Sequence, residues 1–161
     1  MDAIELLTSQ HDELEDLFAQ CEQESGPQKQ AVFDRIADLF AVHSAIEEAH
    51  FYPNVNGEET HELLVESVKD HFAMKKALAE LIEIGTEADD FDEKCAGFRR
   101  LVMRHARELE ENRLFPRVMV LLGQSMLDAI GERMTETIVT LESEGAPRDQ
   151  VFQELESPAP I

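Results

Sequence analysis

The sequence predicts an all-α fold: an up-down-up-down four-helix bundle with an additional C-terminal helix. Three observations predict it. Apolar residues recur at helical spacing along five segments. The composition is rich in Ala, Leu, Glu, Met and Gln, which favour helices, and it contains no Trp and little Val/Ile/Thr alternation. Gly, Pro and Asn punctuation cuts the chain into long pieces joined by short loops, so neighbouring helices must run antiparallel.

The segments follow in order. The first carries Ile4, Leu7, His11, Leu14, Leu17 and Phe18, and stops at "ESGPQ" (24–28). The second carries Val32, Ile36, Leu39, Phe40, His43, Ile46 and Glu47, and stops at "PNVNGEET" (53–60). The third carries Leu64, Val68, His71, Met74, Leu78 and Leu81. Its stop, "EIGTEADDFD" (83–92), has an Asp cluster suited to capping the next helix. The fourth carries Phe98, Leu101, Val102, His105, Leu109, Leu114 and Phe115, with Gly123 a weaker helix end. The fifth carries Met126, Ile130, Met134, Ile138 and Leu141, with its methionines in packing roles. The expected organisation is one domain over 1–145. Four core helices fill 1–120, a fifth helix covers about 124–144, and a tail over 146–161 holds at most a short helical turn.

Of 161 residues, 43% are hydrophobic and 30% charged, as in an ordinary globular domain. The net charge of −21 argues against nucleic acid and against an anionic membrane surface. No apolar run approaches the roughly 20 residues that span a bilayer. The opening "MDAIELLTSQHDELEDLF" has neither a basic region nor an unbroken apolar core, so a cytoplasmic location is expected. Cys21 and Cys95 form no CxxC motif and are too few for a disulfide framework, which reads as buried or idle thiols. The expected state is a monomer or weak dimer.

Each of the first four helices places one histidine inside its apolar stripe: His11, His43, His71 and His105. One such residue is ordinarily a satisfied core histidine; four, one per helix, each needing partners for two ring nitrogens, point to a shared site. Glu47 stands four residues after His43, about 40° round and one turn on, so both face the same way. Helix-borne His and carboxylate pairs of this kind build metal sites in bundle cores. His50 reads as a bundle-end residue, His61 as exposed, Tyr52 as packing, and Glu15 as an outer or surface residue.

The set "HDELEDLF", "HSAIEEAHFYP", "DHFAMKKAL" and "HARELEENRLFP" resembles the hemerythrin-like (HHE cation-binding) family over residues 1 to about 120. The resemblance implies two iron ions, oxo- or hydroxo-bridged and shared by two carboxylates, inside a four-helix bundle. By position, the implied metal ligands are His11, His43, Glu47, His71, His105 and Glu110. The family's oxygen carriers have a histidine four residues after the third-helix ligand; here that residue is Lys75, which as a cation cannot ligate and reads as a surface lysine. Four His and two Glu match bacterial relatives and the iron–sulfur repair branch instead, although that branch usually adds an amino-terminal Cys-bearing segment. The implied partner is a small oxidant (O2, H2O2 or NO), in sensing or in catalase-like peroxide decomposition. Zinc or manganese in place of iron, iron storage or handling, and a metal-free acidic interaction bundle are the alternatives.

"HARELEENRLFP" (105–116) matches "HSAIEEAHFYP" (43–53) when both are aligned on the aromatic-Pro ending, but it contains one residue more. Five residues turn a regular helix by about 140°, which would swing Glu110 off the face of His105, whereas Glu108 could reach it at about 60°. Glu108 is therefore the rival ligand. A π-bulge absorbing one residue between His105 and Glu110 would reconcile the spacing with Glu110.

Overall fold

The computed structural model of the chain describes residues 1–157, 159 and 160; of the tail expected over 146–161, residues 158 and 161 lie outside the described residues. Helix α1 (Ala3–Gln23) starts with a reciprocal cap. The Glu5 N–H donates to Asp2 Oδ1 at 2.9 Å and the Asp2 N–H to Glu5 Oε2 at 3.0 Å, satisfying two backbone donors the helix start leaves free. Helix α2 opens on Gly26 (φ 58), which admits a left-handed conformation closed to most residues, and continues Gly26–Ile46. It passes without a break into a π-helical turn, Glu47–Phe51, and a last α turn, Tyr52–Val55. Thr60 then ties the loop: its hydroxyl accepts from the Gly57 N–H at 2.9 Å and donates to the Val55 carbonyl at 2.6 Å.

Helix α3 (His61–Ile84) ends at Gly85, whose φ of 78 terminates it. Helix α4 has three parts: Phe91–Met103, a long π segment Arg104–Leu114, and Phe115–Leu121. Helix α5 (Gln124–Ser143) lies against α1 and the π turn of α2. A Cβ on its Gly131 would stand 2.7 Å from the Met1 carbonyl oxygen and 2.9 Å from the Ala3 nitrogen, so this close approach of helix to chain start requires glycine. A 3-10 turn (Pro147–Gln150) and the short α6 (Val151–Glu154) fold back over α2 and α3. Among the described residues there is no strand, and no single helix is long and apolar enough to cross a membrane.

The apolar interior is in two parts. One gathers Leu14, Phe18, Phe40, Met74, Leu78, Phe98 and Val102. The other gathers Leu7, Ile46, Phe51, Leu64, Leu109, Leu114 and Phe115. On every core helix the stripe histidine falls between the two: His11 between Leu7 and Leu14, His43 between Phe40 and Ile46, His71 between Leu64 and Met74, His105 between Val102 and Leu109. The four segments thus place their histidines at one level of the bundle, as a polar layer dividing the core.

Candidate metal centre

Six buried donors make up that layer: His11, His43, Glu47, His71, His105 and Glu110, none more than 3% exposed. The histidines stand in two pairs, His11 with His43 and His71 with His105, ring centroids 4.9 Å apart in each. The glutamates join the pairs. Glu47 sets Oε1 3.4 Å from His43 Nε2 and Oε2 3.0 Å from His71 Nε2. Glu110 sets Oε2 3.1 Å from His11 Nε2 and Oε1 3.2 Å from His105 Nε2. Each carboxylate therefore offers one oxygen to each histidine pair. Two overlapping four-donor groups result: His11, His43, Glu47, Glu110 and Glu47, His71, His105, Glu110, each with its donor atoms within 4.8 Å of one another.

The π geometry of α4 explains the extra residue of its motif. The Phe115 N–H bonds to the Glu110 carbonyl, five residues back, so here five residues make about one turn and Glu110 returns above His105. Glu108 points out and is exposed. The sequence gives no warning that α2 does the same after Glu47, where the Tyr52 N–H bonds to the Glu47 carbonyl. The two motifs are therefore alike from the glutamate to the aromatic-Pro.

Orientation comes from partners that sequence reasoning missed. Each ring turns its Nδ1 outward to an acceptor: His11 to Glu111 (2.8 Å), His43 to Gln10 (2.7 Å), His71 to Glu48 (3.1 Å) and His105 to Asp70 (3.0 Å). An ionised carboxylate only accepts, so Nδ1 carries a hydrogen there and Nε2 is the nitrogen left facing inward, free to ligate once it has lost any proton of its own. The four contacts run round the bundle: α1 holds the histidine of α2, α4 that of α1, α3 that of α4, and α2 that of α3. A signal was available, because Gln10, Glu48, Asp70 and Glu111 are each the chain neighbour of a cluster residue.

Electrostatics follow from burial and shared charge. Burial alone would depress the His11 pKa, but the Glu110 and Glu111 carboxylates overcome it and raise it to about 9. Burial likewise works against protonated His105, and the Glu110 charge with the Asp70 hydrogen bond raises it to about 9. His43, whose Nδ1 faces a neutral amide, is pushed well down by burial and the neighbouring His11 charge. Glu47 is pushed up by burial and by Glu110, while His105 and His11 hold Glu110 well below the usual carboxylate range despite burial. Without a cation, the layer stores protons between its own donors.

Tyr52, expected to be packing alone, is part of the cluster. Its hydroxyl donates to Glu110 Oε1 at 2.8 Å and lies 3.2 Å from Glu47 Oε2 and 3.0 Å from His71 Nε2. The equivalent residue of the other motif is Phe115, which stacks on His11 at 6.0 Å and brings no oxygen. The two halves of the centre are thus chemically unequal. Lys75 also departs from expectation: it is 3% exposed rather than at the surface. Its ammonium donates to both Glu48 oxygens at 2.8 Å and meets Glu154 of α6 at 3.1 Å, so compensating carboxylates draw it inward. The remaining candidates stand apart. Glu15 is exposed and paired with Arg107 at 2.7 Å, His50 meets Thr137 of α5 at 2.7 Å, and His61 is exposed.

The donor set fits a pair of cations. Glu47 Oε1 is buried without a hydrogen-bond partner, and His11 Nε2 and Glu110 Oε2, 3.1 Å apart, have only each other. These atoms converge as ligands do, and the unpartnered oxygen would otherwise cost about 1–3 kcal/mol. Imidazole nitrogen with carboxylate oxygen suits several first-row metals, iron, zinc and manganese among them.

A helical bundle whose polar layer holds two joined His/Glu groups belongs to the class of buried metal-binding bundles. Residues 2–118 match the family model of the Hemerythrin HHE cation binding domain, and the chain belongs to that family. Among solved structures it is similar to a hemerythrin HHE cation binding domain-containing protein from Mycobacterium kansasii. The two are 18% identical with a TM-score of 0.78, over 99% of this chain and 95% of the other, which is a likeness of fold. No curated protein matches the chain.

Proposed function

We propose that the chain holds two iron ions, one between His11 and His43 and one between His71 and His105, with Glu47 and Glu110 shared, and that the centre binds or reduces a small oxidant such as O2, peroxide or NO. The carrying observation is that both carboxylates turn one oxygen to each histidine pair. Bound there, iron supplies reversible one-electron chemistry that no side chain of the layer has. The protein's part is to orient the imidazoles through their Nδ1 partners, exclude water, and hold protons.

Access favours the Tyr52 half. A cavity of ≈ 310 Å³ lined by Glu48, Tyr52, Pro53, Asn56, Val68 and Pro160 of the tail reaches the cluster only at Tyr52, and its walls are mostly apolar. A small uncharged oxidant entering there meets Tyr52, whose hydroxyl, a proton donor, is bonded to Glu110 on the cluster side. Glu48, between His71 and Lys75, offers a further acceptor at the same wall.

Metal analysis of protein prepared with ample iron, joined to spectra before and after peroxide, tests this reading. About two irons per chain and a near-ultraviolet band lost in His105→Ala are expected. Well under one iron per chain, or zinc or manganese in preference when all three compete, would overturn it. Oxygen evolution from peroxide, absent in His43→Ala, would mark peroxide decomposition; a spectrum that reverses on removing oxygen would mark binding.

A further inference from the structure

The chain has two cysteines, and the fold brings them together far from the metal-binding layer. Cys21 lies ten residues after His11 on α1, and Cys95 ten residues before His105 on α4. Because α1 and α4 run antiparallel, both steps lead the same way along the bundle, about 15 Å from the layer. Both side chains sit among Phe18, Phe91 and Phe98 in one buried cluster, 3% and 9% exposed. Packing alone would explain an isolated core cysteine. It does not explain why both thiols also line a cavity of ≈ 260 Å³ whose other walls include Glu22, Asp92 and Arg99. Two cations flank that cavity: Arg99, paired with Glu22 at 2.8 Å, and Lys29, paired with Asp92 and placed over the Phe91 ring.

We propose that Cys21 and Cys95 are a peroxide-reactive dithiol, which reduces a hydroperoxide and closes to a disulfide between α1 and α4. The two sulfurs divide the labour. Hydrogen bonding from Cys95 draws the Cys21 thiol down against the effect of burial, with Lys29 assisting, whereas Cys95 is pushed up by the same bond and by burial. Cys21 is the attacking thiolate, since the thiolate is the reactive form, and Cys95 is the resolving thiol. Cys21 attacks the terminal oxygen of the hydroperoxide: an S–O bond forms, the O–O bond breaks, and the departing oxygen takes a proton to leave as alcohol or water. Cys95, losing its proton, then attacks the sulfenic sulfur, so that an S–S bond forms, the S–O bond breaks and water departs. Two thiols are oxidised by two electrons and one hydroperoxide is reduced.

This site stands apart from the proposed iron centre, and its test does not depend on metal. Reduced full-length protein, iron-loaded and chelator-treated in parallel, is exposed to hydrogen peroxide or to glutathione disulfide, then unfolded, alkylated and weighed by mass spectrometry. The expected result is joint loss of both alkylatable thiols, a mass lower by two hydrogens, and a Cys21–Cys95 cross-linked peptide with either oxidant. Cys95→Ser should stop at a Cys21 sulfenic acid trapped by dimedone, and Cys21→Ser should leave Cys95 alkylatable. Persistence of both thiols under excess peroxide in the wild-type chain would overturn the proposal whatever the variants do. So would links only between chains, closure by glutathione disulfide but not by peroxide, or sulfenic acid confined to Cys95.

Discussion

The ring of Nδ1 partners can be broken at one point without opening the core. Asp70 is the place to do it: its carboxylate is partly exposed and bonds His105 Nδ1 at 3.0 Å. In Asp70→Ala, His105 keeps its position among Val102, Leu109 and its buried neighbours but loses the bond that fixes its rotation. Loss of such a partner weakens metal affinity by about 10- to 100-fold, or about 1.4–2.8 kcal/mol. A second effect opposes the first. Asp70 helps to raise His105 to about 9, so its removal also relieves competition from the proton at neutral pH. Two pH units of competition weaken a site about 100-fold, and Asp70 accounts for only part of the rise, behind the Glu110 charge and against the opposing effect of burial. The orienting effect should therefore dominate, but visibly so only where the proton no longer competes. Competition titration against a coloured chelator is expected to show a small defect at pH 7 that grows to the full 10- to 100-fold above pH 9. Glu108→Ala, at an exposed position on the same helix, should change nothing. Equal affinity of Asp70→Ala and wild type at pH 9 would refute the reasoning.

Other outcomes follow from the same geometry. In the metal-free chain, His11 and His105 have folded pKa values raised above the unfolded value, so the stability they add is complete below about pH 6.5 and fades as pH climbs toward 9. Metal must displace those protons, so the stabilisation that added metal confers should rise over the same range; thermal unfolding with and without chelator reads both slopes, and parallel slopes would contradict it. Tyr52→Phe leaves Glu110 one donor short and should lower metal-free stability by about 1–3 kcal/mol in urea unfolding, while all six His and Glu donors remain. Gly131→Ala gains up to about 1 kcal/mol in helix propensity yet drives a methyl into the Met1–Ala3 backbone, and a net loss of about 1–3 kcal/mol is expected. A Gly131→Ala protein as stable as wild type would show that the α1 start can move aside.

The helices, and the place of each histidine within its own stripe, were legible because each stripe repeats a local period, and a local period needs only its own segment. His71 could be placed between Leu64 and Met74 from spacing alone. The deformation of α4 was legible for a different reason: His105 and Glu110 could share a face only if one residue was absorbed. Its counterpart after Glu47 was hidden, because His43 and Glu47 are already in helical register and the π turn begins just beyond them. What stayed illegible joins separate segments. Gln10 reaches His43, Asp70 reaches His105, and Glu154 on the returning α6 gives Lys75 a reason to be buried. Tyr52 was missed because an aromatic-Pro ending suits packing equally well, and Phe115 in the second motif does pack. Only the hydroxyl distinguishes them, and its partners come from three other chain segments.

The split interior has a consequence for cooperativity. A single apolar core opens all at once, but the two clusters here are in contact mainly through a slab of imidazole and carboxylate. With no cation in that slab, the half around Phe18, Phe40 and Phe98 and the half around Phe51, Leu114 and Phe115 can loosen as separate units, each with its own opening free energy. A pair of ions gripped by all four helices would weld them, so that the backbone amides of both halves exchange their hydrogens at one common, slower rate. Metal in this bundle would then set the size of the folding unit as well as its chemistry.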